Sequence, residues 1–71
     1  MNFSALLKSS REAKGLTQKQ MAELLNMTER AYQSYELKER EPRLEKLARI
    51  AVLLEVSVDY LLGLSDVKER R

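Results

Sequence analysis

The strongest constraint on the fold of this 71-residue chain is the apolar spacing within residues 17–36. Met21 and Leu25 are four positions apart, and Tyr32 and Tyr35 are three positions apart. Because residues at these spacings lie on one face of an α-helix, each pair predicts a short helix with one buried side. The spacing does not continue from one pair to the other, so we expect the chain to turn between them.

The residues between the two pairs have the chemistry of a tight turn. Asparagine is one of the few residues besides glycine that tolerate a positive φ, so we expect Asn26 to reverse the chain. Thr28 can then cap the next helix with its hydroxyl oxygen, and Ala22 is small enough for two helices to approach closely. Two short helices joined in this way form a helix-turn-helix, which can place its second helix in the major groove of duplex DNA.

The flanking sequence predicts three further helices. The first runs from about Ser4 to Lys14 and ends at Gly15 in the left-handed region, and Thr17 caps the next helix. The inner side of the first helix consists of Phe3, Leu6, Leu7 and Ser10. We expect the Ser10 hydroxyl to bond the carbonyl one turn earlier.

The second half of the chain predicts a longer helix and a short one. Pro42 is expected to start the longer helix, and Ser57 the short one, which closes before Gly63. The apolar stripe of the longer helix is Leu44, Leu47, Ile50, Ala51 and Leu54, and the inward residues of the short helix are Val58, Leu61 and Leu62. We therefore predict an all-α, compact five-helix domain over residues 1–63, followed by a short charged tail over 64–71.

Composition excludes several classes of protein. The chain has no cysteine and no histidine, so disulfides are excluded, and neither a metal site nor a cofactor is expected. Without a glycine-rich phosphate loop or a base beside any serine, it is not expected to be an enzyme. No apolar run approaches 18 residues, and the N-terminus lacks a basic stretch followed by an apolar one. We therefore expect a cytoplasmic protein without a membrane span or secretion signal.

The motif resembles the helix-turn-helix of the phage lambda repressor-like family, also called the XRE type. The matching residues are Leu16-Thr17-Gln18, Met21-Ala22 and Tyr35-Glu36, and the likeness extends over residues 3–63. Three positions depart from the family pattern: Ser10, Asn26 and the pair Leu37-Lys38. The resemblance implies a five-helix DNA-binding domain in which Gln18 contacts the DNA backbone and braces the recognition helix, and in which Glu36 forms a structural salt bridge. Arg11 is the candidate partner of Glu36.

Base contacts are expected from the outward residues at the start of the second motif helix. With Tyr32 and Tyr35 pointing inward as core residues, rather than as stacking platforms for single strands, the outward residues are Thr28, Glu29, Arg30, Gln33 and Ser34. Arg30 can bridge guanine O6 and N7, Gln33 can pair with adenine, and Glu29 can accept from cytosine N4. Equally, Glu29 can be a first-turn acid favoured by the helix dipole, and the alternative for Arg30 and Gln33 is plain solvent exposure.

Backbone contacts are expected from residues on either side of that helix. Lys38, Arg40 and Arg43 cluster in the loop beyond it, where a DNA strand would pass, although they can equally be ordinary solvated charges. The full predicted set is Gln18, Lys19, Lys38, Arg40 and Arg43. The net charge of only +2 is weak evidence for a nucleic-acid partner by itself.

We predict a sequence-specific, double-stranded DNA-binding transcriptional regulator, more specifically a repressor that binds a palindromic operator as a homodimer. Its half-sites would lie about 34 Å apart. Candidate dimer residues are Tyr60, Leu61 and Leu64. The alternative is that these residues only close the core of the monomer. The competing function is an antitoxin-like or adaptor module with a protein partner and secondary DNA binding, for which the small net charge leaves room. The salt dependence of DNA binding separates the two.

Overall fold

The structure is a computed structural model that describes residues 2–66 and residue 68. These residues form five helices and no strand: α1 (Phe3–Ala13), α2 (Gln18–Leu24), α3 (Glu29–Glu36), α4 (Leu44–Leu54) and α5 (Val58–Leu61). The predicted all-α, five-helix fold is therefore confirmed. No helix in the described part of the chain is long and apolar enough to cross a membrane.

Part of the predicted 64–71 tail, namely residues 67 and 69–71, lies outside the described residues. Within the described part, the Leu64 N–H donates to the Asp59 carbonyl at 2.8 Å, and the Ser57 N–H donates to the Lys68 carbonyl at 2.9 Å. These bonds connect both positions to the start of α5. The division of the chain at residue 63 stays a prediction.

Local signals in the sequence set the ends of α1, α2 and α3. Gly15 and Asn26 adopt φ values of 71° and 57°, as predicted for the residues that reverse the chain. The Thr17 hydroxyl accepts from the Gln20 N–H at 3.0 Å, and the Gln20 side chain accepts from the Thr17 N–H at 2.9 Å, which completes a capping box. Thr28 caps α3 by accepting from the N–H of residue 31 at 3.1 Å.

Two predictions about α4 are wrong. Pro42 does not start the helix, because Arg43 is still extended (ψ 164°) as the N-cap and Leu44 is the first helical residue. Leu44 is 84% exposed and does not belong to the buried stripe, since it opens the first turn and the helix packs through its later turns. The other four stripe residues, Leu47, Ile50, Ala51 and Leu54, are buried as predicted.

The core gathers buried residues from all five helices and the short links between them. Its members are Leu7, Met21, Ala22, Leu25, Tyr32, Tyr35, Leu47, Ile50, Ala51, Leu54, Val56 and Leu61. The rings of Tyr32 and Tyr35 pack edge to face with their centroids 6.1 Å apart. Both tyrosines are core residues, as predicted, and neither offers a face for stacking a base.

The prediction for the Ser10 hydroxyl is wrong. Ser10 is buried, but among the described residues its Oγ has no hydrogen-bond partner. The Leu6 carbonyl, which lies one turn earlier, accepts instead from the Ser9 hydroxyl at 3.1 Å. The core therefore contains one unsatisfied hydroxyl in place of the apolar group that such a position favours.

Candidate nucleic-acid interface

The candidate interface is organised by α2 and α3, which pack directly against each other. Ala22 of α2 is buried, and its carbonyl accepts from the Met27 N–H at 3.0 Å across the turn. The Asn26 N–H donates to the Glu23 carbonyl at 3.1 Å. These bonds fix the direction in which α3 leaves the turn, so α3 has a buried side formed by its tyrosines and an outer side that faces solvent.

A polar cluster around Glu36, the last residue of α3, joins three helices. The Glu36 carboxylate accepts from Arg11 Nε at 2.7 Å and Nη2 at 3.2 Å, from the Tyr32 hydroxyl at 2.5 Å and from Gln18 Nε2 at 3.0 Å. Arg11 also donates through Nη1 to the Leu16 carbonyl at 2.7 Å. The side chains of Arg11 and Glu36 are only 8% and 3% exposed. The expected salt bridge between them is therefore present and largely removed from water.

The ionisation of this cluster follows from its contacts. Burial opposes the charge on Glu36, but hydrogen bonds from Arg11, Tyr32 and Gln18 outweigh it and hold the pKa of Glu36 below its ordinary value. The hydrogen bond to Glu36 raises the pKa of Arg11. Burial, together with the bond to Glu36, raises the pKa of Tyr32. At neutral pH the cluster consequently holds a carboxylate, a guanidinium and a neutral phenol.

The same cluster orients two glutamine side chains at the outer surface. Because a carboxylate can only accept, Gln18 must turn its amide nitrogen towards Glu36, which turns Gln18 Oε1 outward. Gln33 Nε2 donates to that oxygen at 3.2 Å. Gln33 therefore keeps its own Oε1 and one N–H for another partner. The brace that the resemblance implied for Gln18 is present in this chain of bonds.

The predicted base-contacting residues share one surface, with one exception. Thr28, Glu29 and Arg30 are exposed at the start of α3, and Gln33 is half-buried beside Gln18. Ser34 does not face outward as predicted. It is 6% exposed, and its hydroxyl donates to the carbonyl of residue 31 at 2.5 Å.

The physical reason for the Ser34 error is the loop that follows α3. The Ser34 carbonyl accepts from the Glu39 N–H at 2.9 Å and from the Arg40 N–H at 3.2 Å, so the returning loop covers it. Lys38 makes this return possible by adopting a left-handed φ of 63°. The loop also brings Glu39 to Arg30, whose Nη2 lies 3.2 Å from Glu39 Oε1. Glu39 was not among the site residues predicted from the sequence.

The cationic residues predicted for the DNA backbone are all exposed, namely Lys19, Lys38, Arg40 and Arg43. The Arg40 guanidinium lies 5.7 Å from the centroid of the Tyr35 ring. A cavity of about 500 Å³ extends from there along α4 and is lined by Tyr35, Arg40, Glu41, Arg43, Glu45, Lys46 and Arg49. The structure brings Arg40 and Arg43 together in this cavity, while Lys19 lies in the first turn of α2.

Lys46 and Arg49 contact the end of α2, a role that was not predicted from the sequence. Lys46 Nζ donates to the Leu25 carbonyl at 3.2 Å, and Arg49 Nη2 donates to the Leu24 carbonyl at 3.1 Å. These carbonyls belong to the C-terminal end of α2, where cations are favoured by the helix dipole. The available signal was the spacing, because a basic residue occurs at every third position from 40 to 49.

The predicted dimer residues have different environments. Leu61 is fully buried in the core, so its assignment to a dimer surface is wrong, and the alternative that it closes the monomer core is correct. Tyr60 is half-buried against the core, and Leu64 is 73% exposed. Whether either residue meets a second protomer stays a prediction.

Comparison with known proteins identifies the family. A helix-turn-helix family model matches residues 7–61. HTH-type transcriptional regulator YqaE of Bacillus subtilis is 50% identical over 60 residues, which cover 84% of this chain and 52% of that protein. ImmR, an HTH-type transcriptional regulator of the same organism, is 37% identical over 70 residues, covering 99% and 55% of the two chains. The transcriptional repressor RstR of a cryptic phage of Vibrio cholerae is 38% identical over 63 residues, covering 89% and 56%.

A solved structure agrees with these sequence relationships. The crystal structure of a transcriptional regulator from Listeria innocua has a TM-score of 0.79 and 36% sequence identity, covering 97% of this chain and 63% of that one. The chain spans about half the length of the curated relatives it matches. These relationships confirm the expectation that it is not an enzyme. The chain belongs to the phage lambda repressor-like, or XRE-type, family of helix-turn-helix domains.

Proposed function

We propose that this chain is a sequence-specific DNA-binding domain of a transcriptional regulator and that it inserts the start of α3 into the major groove. One observation carries the proposal: a chain of hydrogen bonds from the buried Glu36 through Gln18 fixes the amide of Gln33 at the outer surface. A side chain that merely faced water would need no such support. Repression is favoured over activation because RstR, one of the relatives, is named as a repressor.

Each outward residue of α3 has a base-reading role that suits its geometry. Gln33 retains one amide N–H and Oε1, which match the N7 acceptor and N6 donor of adenine. Arg30 is exposed and uses one nitrogen on Glu39, so its remaining N–H groups can bridge guanine O6 and N7. Glu29 can accept from cytosine N4, while Thr28, exposed at the N-cap, lies close enough to the helix start to contact a base or its sugar.

The surrounding cations would hold the DNA backbone. Lys19 and Gln18 lie in the first turn of α2, and Lys38, Arg40 and Arg43 lie along the loop from α3 to α4. Contacts of this kind release counterions, so binding should weaken steeply as salt increases. The cavity formed by Arg40 and Arg43 has room for a phosphate group beside the Tyr35 ring.

Two copies of the domain would give useful specificity. One recognition helix covers few base pairs, and a two-fold symmetric dimer would read an inverted repeat with half-sites about 34 Å apart. Leu64 and Tyr60 are the proposed contacts between the copies, because they are the two predicted interface residues that retain an accessible surface.

The proposal is tested by selecting a random duplex library on the purified protein at two salt concentrations. Enrichment of an inverted repeat with half-sites one helical turn apart supports a dimeric operator-binding regulator. Enrichment of a single half-site supports base reading and contradicts the dimer. Weak binding without any enriched sequence refutes the proposal and favours a module whose main partner is a protein.

A pair of substitutions tests the residue roles on the enriched site. Arg30→Ala should cost about 1–3 kcal/mol of binding free energy and relax the preference at one base. Arg43→Ala should instead weaken binding to all sequences alike and lower the slope of log affinity against log salt concentration by about one. Arg43 makes no side-chain cap to α4, so its loss should leave the helix intact. If both variants lose affinity equally on every sequence, Arg30 does not read a base.

A further inference from the structure

An ion pair that crosses from α3 to the following loop holds Arg30. Arg30 Nη2 lies 3.2 Å from Glu39 Oε1, and the two side chains are 68% and 48% exposed. Exposed pairs of this kind contribute at most about 1 kcal/mol to folding stability. The pair is therefore a weak explanation for the fold, and its position at the start of the recognition helix suggests another role.

The backbone, rather than the ion pair itself, determines where Glu39 lies. The Glu39 N–H is bonded to the Ser34 carbonyl at 2.9 Å, and the neighbouring Arg40 N–H is bonded to the same atom at 3.2 Å. Lys38 turns the chain with a φ of 63° immediately before these bonds. The Glu39 backbone is consequently held beside Ser34, which lies about one helical turn after Arg30, and the flexible Arg30 side chain reaches the Glu39 carboxylate.

An arginine at this position has two competing uses on DNA. It can bridge the acceptors of a guanine, or it can turn aside to the nearest phosphate, which carries no sequence information. A carboxylate beside the guanidinium repels the phosphates and accepts one N–H, while the other N–H groups stay available for a base. Glu39 therefore disfavours binding of Arg30 to a phosphate more than it disfavours binding of Arg30 to a base.

We propose that Glu39 is a specificity-determining residue that positions Arg30 for a guanine and suppresses its use on the DNA backbone. This inference rests on the proposed function, because it requires that Arg30 reads a base. Glu39 acts through Arg30 and need not touch DNA. Removing the Glu39 carboxylate should strengthen binding to unrelated DNA. It should also reduce the difference in affinity between a duplex with the correct base pair and one with a wrong base pair.

Glu41 provides the matched control. It lies two residues further along the same loop, is exposed, and makes no ion pair among the described residues. Glu39→Gln and Glu41→Gln change the net charge equally. Both should raise affinity for unrelated duplexes through weaker repulsion of phosphates, so only a difference between them reports on Arg30.

The experiment uses the duplex enriched from the random library and three copies in which the base pair read by Arg30 is replaced. Dissociation constants are measured for the unmodified protein, Glu39→Gln, Glu41→Gln, Arg30→Ala and the Arg30→Ala, Glu39→Gln double variant. Glu39→Gln should lower the ratio of affinities between correct and replaced base pairs about two- to fivefold, whereas Glu41→Gln should leave it unchanged. In the Arg30→Ala background, Glu39→Gln should have no further effect on the ratio.

The outcomes separate this inference from the proposed function. If Arg30→Ala relaxes the preference but the two glutamine variants behave alike, the inference is wrong and the proposed function stands. If Arg30→Ala changes no base preference, or the library yields no enriched duplex, the proposed role of Arg30 fails and the inference fails with it. Base preference at one position is a readout that a purely structural role of Glu39 would not change.

Discussion

Replacing Glu36 by glutamine tests how strongly the polar cluster supports the domain. The carboxylate accepts two hydrogen bonds from Arg11 and one each from Tyr32 and Gln18. Glutamine has the same shape, but it offers one acceptor oxygen and no charge, so the buried guanidinium loses its counter-ion. Removing one partner of a buried pair costs about 3–5 kcal/mol, and the retained oxygen places Glu36→Gln near the lower end, at about 3 kcal/mol.

That loss is large for a chain of this length. Typical stabilities of about 0.05–0.15 kcal/mol per residue correspond to roughly 4–11 kcal/mol for the whole domain. Urea unfolding followed by circular dichroism should show a clearly lower midpoint for Glu36→Gln with an unchanged slope. Glu45→Gln is the control, because it removes the same charge from an exposed position in the first turn of α4, where the helix dipole limits the loss to about 1 kcal/mol or less.

The effect of Glu36→Gln should also depend on pH. The folded state lowers the pKa of Glu36 below its ordinary value of 4.5, so the carboxylate stabilises the fold fully above that value. As pH falls from about 4.5 through the lowered pKa, the folded carboxylate is protonated and the difference between the two proteins should shrink. A cost equal to that of Glu45→Gln, or a cost that persists unchanged at low pH, would refute the argument.

Two further predictions concern side chains that stabilise or destabilise the helices locally. Ser10→Ala removes the unsatisfied buried hydroxyl and should raise the unfolding free energy by about 1 kcal/mol, whereas Ser34→Ala removes a bonded hydroxyl and should not raise it. If urea unfolding shows a higher unfolding free energy for both variants, this predicted difference is contradicted. Thr17→Ala breaks the capping box of α2 and should cost about 1 kcal/mol, while Thr17→Ser should cost less, and an unchanged urea midpoint for the alanine variant would show that the cap contributes little.

Features of the fold that depend on near neighbours could be predicted from the sequence. Gly15 and Asn26 reverse the chain because their own backbone preferences permit a positive φ, and Thr17, Thr28 and Ser57 cap the helices that follow them. Each of these effects acts within about one helical turn, so the residues that cause it are adjacent in the sequence. The family resemblance then supplied the long-range partner of Glu36, which local periodicity cannot supply.

Features that depend on what covers a residue could not be predicted in this way. Ser34 has the periodicity of an outward residue, but the loop that returns over it depends on the left-handed Lys38, and lysine gives no signal for that conformation. Leu44 continues the apolar spacing of α4 and is nevertheless exposed at the first turn. The contact between Arg30 and Glu39 depends on the path of the same loop, so it could not be predicted from the sequence.

Gln33 and Arg30, two of the proposed base-reading residues, are held by different kinds of interaction. Gln33 is oriented through Gln18 by a carboxylate whose side chain is 3% exposed, and buried interactions of this kind are screened little by salt. Arg30 is held by an exposed ion pair, which salt weakens. Under the proposed function, the interior of the domain therefore fixes which hydrogen-bonding groups Gln33 presents, while the loop after α3 adjusts what Arg30 does. Changes in that loop can alter base preference without changing the core.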